Sequence, residues 1–508
     1  MLSTLSFASR RSFATVASAV HQRTLKDIPG PSSFPIVGAV PHYLPVFGRY
    51  KPHLLTQYSI IKFREFGPIF KETMWGTTLV YLIDPDDIQT VLGRNPGSGG
   101  NAVWPKRVTH KVLEHVRTHE LKSTHFNGGI FMTNGSDWVE IRHRHQKAMA
   151  IEEIGIFIEK CDQSACDLVS SVNSPSMKVH VESDFLNVLF AFATDYNGMS
   201  LFGEKWNAID EYLDSNSMTQ KLIWTSTELN HATGPTDHGS QTWRLFSTPL
   251  YKTILKGAQI LDDVVTERLD RRLVNGELVA EEGNNSMLDT WIRDGHKDYR
   301  KMVTFLSDMV LASIDTVAYS LSYILYHIST NPRVQEKLFE ELYGLNKDGL
   351  GAPITSDMLR GARYMKKCIK EALRINPLAV GVGRVLTEDT ILSGYHVPEG
   401  TNIVILNAVT SRLPEYVEQP EAFIPERYDH DGKFKKIHPF VSLPFSFGPR
   451  SCVGRRLAEQ AMNIFVFRLF RNYRLEWLGA DKLDAITTLI NKPDAPLLFK
   501  FTPRESLH

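Results

Sequence analysis

The sequence predicts a mainly helical fold with small β-sheets, an α+β architecture in one large domain. Apolar residues recur at helical spacing through most of residues 152–341, whereas strand patterns are short and scattered, as at residues 69–72 and 78–83. Hydrophobic residues make up 42% of the 508, which suffices for a large core. Because 57 basic residues balance 57 acidic ones, the composition predicts no nucleic-acid partner.

The first 27 residues have the composition of a mitochondrial transit peptide. Residues 1–26 contain five serines, four lysine or arginine residues and no acid, and Leu2, Leu5, Phe13 and Val16 can share one helical face. A disordered tail is the alternative. The sequence has no apolar run of about 18 residues that would span a membrane. Four cysteines without paired spacing favour a reducing or neutral compartment.

Prolines dominate the next segment, residues 28–46, which holds Pro29, Pro31, Pro35, Pro41 and Pro45. Proline is excluded from helix interiors and central strands, so the segment predicts a stiff extended hinge. The large domain follows over residues 47–508.

A single cysteine, Cys452, lies in a tight loop directly before a predicted helix. Gly448 and Gly454 permit the loop, Arg450 places a cation two residues before the sulfur, and residues 457–470 run at helical spacing. Free backbone N–H groups and the positive end of a helix lower the pKa of a thiol and make it a better metal ligand. A buried structural cysteine is the alternative for a lone Cys.

The longest periodic stretch, residues 302–341, predicts a long buried helix with a boundary near Asn331 and Pro332. In its middle, Asp315 and Thr316 place an acid next to an alcohol in apolar surroundings. Such a pair could relay protons to an oxygen ligand. The alternative is a threonine bonded back to its own turn beside a solvated aspartate.

Three further sets of residues contain charged side chains that could serve a site. Trp138 and Arg142 are four apart, which is also typical of a surface cation lying on an aromatic ring. Glu371 and Arg374 share a face, where a buried pair needs a further partner such as Arg427; the alternative is a surface pair worth about 0.2–0.5 kcal/mol. A third set comprises two lysines on one helical face and two arginines after the cysteine loop: Lys366, Lys370, Arg455 and Arg456.

The cysteine loop resembles the haem-binding loop of the cytochrome P450 family, because Phe445, Gly448, Arg450, Cys452 and Gly454 all fall within ten residues. The resemblance covers about residues 28–503 and includes the Trp-x-x-x-Arg, Glu-x-x-Arg and Pro-x-Arg elements. It implies a single haem-thiolate domain, over residues 47–508, that contains haem b. As an enzyme of this family, the protein would be a monooxygenase that uses dioxygen.

The same resemblance assigns roles to individual residues. Cys452 would be the axial thiolate ligand of the haem iron, and Asp315 and Thr316 would deliver protons to bound dioxygen. Ser313 stands where the family often has glycine, which leaves the shape of the oxygen groove open. The remaining roles are propionate binding by Trp138, Arg142, Arg384 and Arg450, an ionic cluster of Glu371, Arg374 and Arg427 beneath the cysteine loop, and an apolar substrate pocket lined by Phe131, Ala312, Ala379, Val380 and Val382.

Electrons must come from another protein, because no segment resembles a flavin or nicotinamide domain. Lys366, Lys370, Arg455 and Arg456 resemble the surface on which a [2Fe-2S] ferredoxin, supplied by its reductase, docks in the mitochondrial class of the family. A merely solvated face is the alternative for such lysines. Together with the transit-like start, the resemblance implies a protein on the matrix face of the inner mitochondrial membrane, in peripheral contact with that membrane.

Residues 374–384, 393–395 and 490–496 resemble arthropod mitochondrial ecdysteroid 22-hydroxylases. This implies a steroid substrate and the conversion of 2,22-dideoxyecdysone into 2-deoxyecdysone on the route to ecdysone. Two alternatives stay open. One is a related hydroxylase of another ecdysteroid position or of xenobiotics. The other is a haem-thiolate isomerase or binding protein that uses no reductase, for which Asp315, Thr316 and the Lys366/Lys370 pair would be unnecessary.

Overall fold

A computed structural model of the protein describes residues 23–504 apart from 94–104, 150–154, 156, 175–176, 178–181, 213, 215 and 240. All but the last five residues of the predicted transit peptide therefore lie outside the described residues. About 52% of the chain is helical and its sheets are small, which confirms the predicted α+β fold.

Helices form the bulk of the described structure and follow the predicted helical periodicity. The α-helices are α1 Leu55–Phe66, α2 Pro85–Leu92, α3 Lys111–His115, α4 Gly135–Ala148, α5 Ile158–Ser171, α6 Leu186–Asn197, α7 Ala208–Glu211, α8 Met218–His238, α9 Pro249–Asp270, α10 Met287–Arg293, α11 Tyr299–Ser329, α12 Pro332–Leu345, α13 Ser356–Gly361, α14 Arg363–Ile375, α15 Asn407–Thr410 and α16 Arg455–Asn472. Helix α2 has the local start signal expected of Asp84 and Pro85: the Asp84 carboxylate accepts the N–H groups of Asp86 and Asp87.

The strands form one four-stranded sheet and several two-stranded pairs. They are β1 Ile69–Met74, β2 Thr77–Leu82, β3 Leu273–Val274, β4 Glu277–Leu278, β5 Val382–Val385, β6 Thr390–Leu392, β7 Tyr395–Val397, β8 Asn402–Ile405, β9 Tyr473–Trp477, β10 Ala485–Thr487, β11 Asn491–Pro493 and β12 Phe499–Pro503. The larger sheet has the order β1-β2-β8-β5, in which only β2 and β8 run parallel. Near the C-terminus, β10 pairs with β11 in an antiparallel hairpin.

Helix α11 forms the centre of the core. It begins where the Asp298 carboxylate accepts the N–H of Lys301, and it ends at Ser329, just before the predicted boundary at Asn331 and Pro332. Helices α6, α8, α9, α14 and α16 pack against it. Among the described residues, α11 is the one helix whose length and hydropathy suit a membrane span, and 78% of its apolar window is buried inside the protein. Such burial is typical of a core helix.

The proline-rich segment lies along strand β1. The N–H of Lys71 donates to Pro29 O at 2.8 Å, and the N–H of Ala39 donates to Thr73 O at 2.7 Å. Gly30 allows this close approach, because a Cβ atom there would lie 2.0 Å from the carbonyl oxygen of Lys71. The segment therefore adds a turn-rich surface layer to the sheet.

Candidate active site

The cysteine loop is closed by its own backbone. The N–H of Cys452 donates to Phe445 O and the N–H of Ser451 donates to Gly448 O, both at 2.9 Å. Gly448 has φ +76° and comes close to the carbonyl oxygen of Leu92, so a larger residue would be strained there. Helix α16 begins at Arg455, and the loop thus holds Cys452 just before the start of this helix, as predicted.

The Cys452 side chain is both exposed and deeply placed. It keeps accessible surface, although the thiol lies deep enough that burial raises its pKa. The Gly454 N–H and the cations Arg142 and Arg455 act in the opposite direction and lower the pKa. The predicted stabilisation of a thiolate is therefore present, but burial of the thiol outweighs it. Free surface on a deeply placed sulfur is what a site for a large planar ligand requires.

Four arginines converge beside the cysteine loop. Burial, followed by the charges of Arg107, Arg384 and Arg142, lowers the pKa of Arg450 to about 9. Burial and the charge of Arg107 lower the pKa of Arg384 to about 10. Because a lowered arginine pKa reflects a cation that lacks a compensating anion, the cluster favours binding of a negatively charged group.

The contacts of these arginines leave their charge uncompensated. Arg142 donates to Ser451 O at 2.7 Å, and its Nε is buried without a partner. Arg384 donates to Ser446 Oγ at 3.2 Å, Arg450 donates to Thr133 O at 3.1 Å, and Arg107 donates to Phe131 O at 3.0 Å. Among the described residues, none of the four forms an ion pair with a carboxylate. The two propionates of haem b fit this donor set, next to a cysteine whose side chain keeps accessible surface.

The predicted members Trp138, Arg142, Arg384 and Arg450 are thus all brought to the cysteine loop. Trp138 is buried on α4, and the Arg450 guanidinium lies 3.8 Å from the centroid of its ring. Arg107 was not predicted from the sequence. Its segment has no regular spacing relative to the cysteine loop, and only the fold brings it there.

Helix α11 presents a strip of half-buried residues in an otherwise buried stretch. Leu311, Ala312, Ser313 and Thr316 keep some exposure, whereas Ile314, Asp315 and Val317 are buried. The Thr316 hydroxyl donates to Ala312 O at 2.6 Å, which is the back-bonded arrangement that the sequence left open. Asp315, by contrast, is not solvated: it is 1% exposed.

Asp315 is held by neutral partners. Asn230 Nδ2 donates to Asp315 Oδ2 at 2.5 Å, whereas Oδ1 is buried without a partner. Burial raises the pKa of Asp315 to about 7, while hydrogen bonds from Asn230 and Ser226 lower it. The carboxyl group can therefore gain or lose a proton near neutral pH. Asn230 and Ser226 were not predicted from the sequence, because their four-residue spacing puts them on one face of α8 but does not show which helix that face meets.

Ser313 is bonded within the protein. Its hydroxyl oxygen lies 2.5 Å from Met309 O and 2.8 Å from Asn197 Oδ1. The hydroxyl therefore satisfies a carbonyl of its own helix and joins α11 to α6.

The predicted pocket residues occupy different depths. Phe131, Ala312, Ala379 and Val382 are half-buried, and Val380 is buried with Phe63 in a core cluster beside the four-stranded sheet. Ala379 belongs to the extended segment that leads into β5, and Val382 is the first residue of that strand. The backbone of the extended segment is held by Asn491, whose N–H donates to Leu378 O at 2.8 Å and whose Nδ2 donates to Pro377 O at 3.0 Å.

Glu371, Arg374 and Arg427 form a buried ionic cluster. Arg374 donates to both carboxylate oxygens of Glu371, at 2.9 and 2.8 Å, and Arg427 Nε donates to Glu371 Oε1 at 2.7 Å. Burial raises the pKa of Glu371, but the bonds and charges of Arg374 and Arg427 outweigh it and the net pKa is lowered. Arg374 also donates to Ser411 O at 2.9 Å. The carboxylate is thus compensated on both sides, as a buried charge requires.

Four basic residues lie on the surface of α14 and α16. Lys366, Lys370, Arg455 and Arg456 are all exposed. Burial, and then the charge of Arg455, lowers the pKa of Lys370, so the two cations lie near each other. Lys370 Nζ lies 4.0 Å from the centroid of the Tyr428 ring, and Arg455 pairs with Glu459 at 2.8 Å. Helices α14 and α16 are in contact, which places this basic patch next to the cysteine loop.

Comparison with known proteins identifies the family. The family model described as Cytochrome P450 matches residues 28–501. The chain is 32% identical to cytochrome P450 302a1, mitochondrial, of Drosophila melanogaster, over 93% of this chain and 94% of that protein. It is 29% identical to probable cytochrome P450 301a1, mitochondrial, of the same species, over 94% of this chain and 86% of that protein. It is 30% identical to probable cytochrome P450 12a5, mitochondrial, also of that species, over 90% and 87%. Since the match spans the whole described fold and the cysteine and arginine sites suit a haem, the chain belongs to the cytochrome P450 family, as a mitochondrial monooxygenase that uses haem b.

Proposed function

We propose that this monooxygenase hydroxylates C22 of an ecdysteroid and converts 2,22-dideoxyecdysone into 2-deoxyecdysone in ecdysone biosynthesis. One observation carries the proposal. Residues 374–384 and 490–496, which resemble the ecdysteroid 22-hydroxylase disembodied, contact each other through Asn491, next to the predicted pocket residue Ala379. The whole-length match to cytochrome P450 302a1, which is disembodied, supports it.

The direct experiment supplies purified, haem-loaded protein with radiolabelled 2,22-dideoxyecdysone, a [2Fe-2S] ferredoxin and its reductase. We expect 2-deoxyecdysone as the main product. A hydroxyl group at another carbon, or turnover of xenobiotics alone, would favour the related hydroxylase. Product formation without ferredoxin or dioxygen would favour an isomerase.

In the proposed reaction, the residues of this chain bind, orient and protonate. Haem held by Cys452 supplies the activation of dioxygen when it is bound. Arg142, Arg384 and Arg450, together with Arg107, would hold the propionates. Asp315, oriented by Asn230, holds and moves a proton beside the cavity face of α11.

We propose that a [2Fe-2S] ferredoxin docks on the basic patch of Lys366, Lys370, Arg455 and Arg456. The exposure of all four residues beside the cysteine loop supports this docking site. Lys370→Glu is expected to raise the ferredoxin concentration for half-maximal turnover about tenfold at low salt, because a steering charge is reversed.

The control for this variant is Lys221→Glu, which makes the same charge change at an exposed residue of α8. Turnover would be measured against ferredoxin concentration at two ionic strengths. An equal response of both variants would mean that the lysine patch is merely solvated.

We further propose that the transit peptide ends before Arg23. Residues 23–27 contact the folded domain: the His396 N–H donates to Arg23 O at 2.8 Å, and Lys71 Nζ donates to Leu25 O at 2.7 Å. Removal of residues 1–27 would break these contacts, so the boundary proposed here is earlier than the sequence suggests. Amino-terminal sequencing of protein matured in mitochondria should begin at or before Arg23, and a start at Ile28 would refute the proposal.

Peripheral contact with the inner membrane is proposed for the turn-rich surface around residues 36–47. Ile36, Val46 and Phe47 are 88%, 80% and 90% exposed, which is unusual for large apolar side chains that lie close together in sequence. Phe47→Glu is expected to weaken binding to anionic vesicles at least about tenfold, because burial of such a side chain contributes roughly 1.5–3 kcal/mol. Flotation with vesicles measures this, and Leu478→Glu, which changes a 55% exposed residue in another part of the chain, is the control.

A further inference from the structure

A buried ion pair at the long helix holds the segment that carries Phe131. Arg117 Nη1 lies 2.5 Å from Asp308 Oδ1, and both side chains are nearly inaccessible to solvent. Arg117 also donates to Gly128 O at 3.0 Å, and the N–H of Ile130 donates to Asp308 Oδ2 at 2.7 Å. One carboxylate on α11 thus binds a backbone N–H of this segment and also Arg117, which in turn binds a carbonyl of the same segment.

We call this segment, residues 126–134, the pocket strap. Its backbone is shaped around the ion pair. Gly129 has φ +87°, and a Cβ atom there would lie 2.3 Å from Asp308 Oδ2 and 2.4 Å from Arg117 Nη1. Glycine is therefore required for the strap to approach the carboxylate. A second tether lies one turn earlier on α11, where Thr304 Oγ1 accepts the N–H of Phe126 at 2.9 Å.

The far end of the strap is held by the arginine cluster. Arg107 Nε donates to Phe131 O at 3.0 Å, and Arg450 donates to Thr133 O at 3.1 Å and to Asn134 Oδ1 at 2.7 Å. The strap thus runs from Asp308 on α11 to the arginines beside Cys452. Phe131 lies between these two anchors.

Asp308 lies four residues before Ala312, so the two share a face of α11 about one turn apart. Because the strap is fixed at that turn, the position of Phe131 relative to Ala312 depends on the ion pair. We propose that Asp308, acting with Arg117, is a positioning residue that sets where the substrate lies in the pocket, and so which carbon is hydroxylated. This inference rests on the proposed hydroxylase function, but not on the identity of the steroid.

The test uses the haem-loaded protein and the variants Asp308→Asn, Arg117→Gln and their combination. Asp308→Asn removes the charge but keeps an acceptor oxygen for Ile130. We expect the rate of the main product to fall about 10²-fold, because small displacements of a substrate have effects of that size, and a second hydroxylated product to appear. The double variant should lose little more than either single variant, because the two residues act as one unit.

A readout independent of turnover is backbone hydrogen exchange in the pocket strap. In the variants, exchange should rise in residues 126–133, while exchange in the buried part of α11 after Asp308 stays slow. Asp167→Asn on α5, which makes the same change in the half-exposed pair with Lys205, is the matched control and should leave both the product ratio and the exchange of the strap unchanged.

Thr304→Val provides a milder variant in case loss of the buried pair prevents folding. It removes the tether to Phe126 and a bond within α11 from the Thr304 hydroxyl to Arg300 O, but keeps the buried ion pair, so a smaller rise in exchange at the start of the strap is expected. A lower Tm with an unchanged product ratio and unchanged exchange in the strap would overturn the proposal, since the pair would then only stabilise the fold. Failure of the ecdysteroid assignment would instead appear as turnover of other substrates, with the exchange result intact.

Discussion

Cys452→Ala should abolish the Soret band of the carbonyl complex at the position typical of a thiolate ligand. Alanine removes the sulfur while leaving the loop intact, because the bonds from Cys452 N–H to Phe445 O and from Ser451 N–H to Gly448 O involve backbone atoms alone. Without the thiolate, the electron donation that favours cleavage of the O–O bond is lost, and hydroxylation should cease. The measurement is the reduced, carbonyl-bound absorption spectrum, with circular dichroism to confirm folding.

Cys166→Ala is the matched control for this substitution. Cys166 is a free and half-buried cysteine far from the loop in sequence, so its removal should leave the spectrum unchanged. Retention of the thiolate band by Cys452→Ala would show that another residue holds the iron.

Asp315→Asn should lower product formation by about 10²-fold or more, because it removes a proton donor while keeping the shape of the side chain. Electrons that no longer lead to product should be recovered as hydrogen peroxide. The variant Asp263→Asn makes the same change at an exposed aspartate of α9 and should leave the ratio of product to peroxide unchanged. An unchanged ratio of product to peroxide in Asp315→Asn would mean that protons reach the reaction site by another route.

The pH dependence of turnover provides a second measure of Asp315. Burial raises the pKa of Asp315 to about 7, so its proton is lost as the pH rises through neutrality. In the wild type, product formation should therefore fall as the pH rises through that value, and Asp315→Asn should remove this pH dependence. The hydrogen bond from Asn230 lowers the pKa of Asp315, so Asn230→Ala should move the fall in product formation to higher pH. A fall at the same pH in Asn230→Ala would contradict the role of Asn230.

The titration of Asp315 should also make the free energy of unfolding depend on pH. An aspartate whose pKa is raised on folding binds more protons in the native state than in the unfolded state between about pH 4 and pH 7. Stability should therefore fall as the pH rises through that window and then level off. Asp315→Asn removes this dependence, so the difference in free energy of unfolding between variant and wild type should shift in favour of the variant from pH 4 to pH 7. Denaturant unfolding at a series of pH values measures it.

Features encoded by neighbouring residues were predictable. The cysteine loop is specified by residues within ten positions of one another, the cap of α2 by Asp84 and Pro85, and the Glu371–Arg374 pair by three-residue spacing, since each depends on backbone geometry over one or two turns. The end of the long helix followed equally from Asn331 and Pro332.

Features that depend on the surroundings could not be predicted from spacing. Spacing alone could not show whether Thr316 faces a ligand or its own turn, or whether Asp315 is solvated. The structure shows Thr316 bonded to Ala312 O and Asp315 buried. The pKa of Cys452 likewise depends on depth in the protein, which outweighs the local effect of the helix end.

By itself, the sequence determined the α+β class, the family and the tight loop that places Cys452 before α16, because these rest on periodicity and on contiguous motifs. Only the tertiary structure decided that Arg107 joins the arginine cluster, that Asn230 holds Asp315 across 85 residues of chain, and that Asp308 binds the pocket strap. The reason is physical: periodicity shows which residues share a face of a helix, but the neighbour that meets this face is chosen by packing between segments distant in sequence.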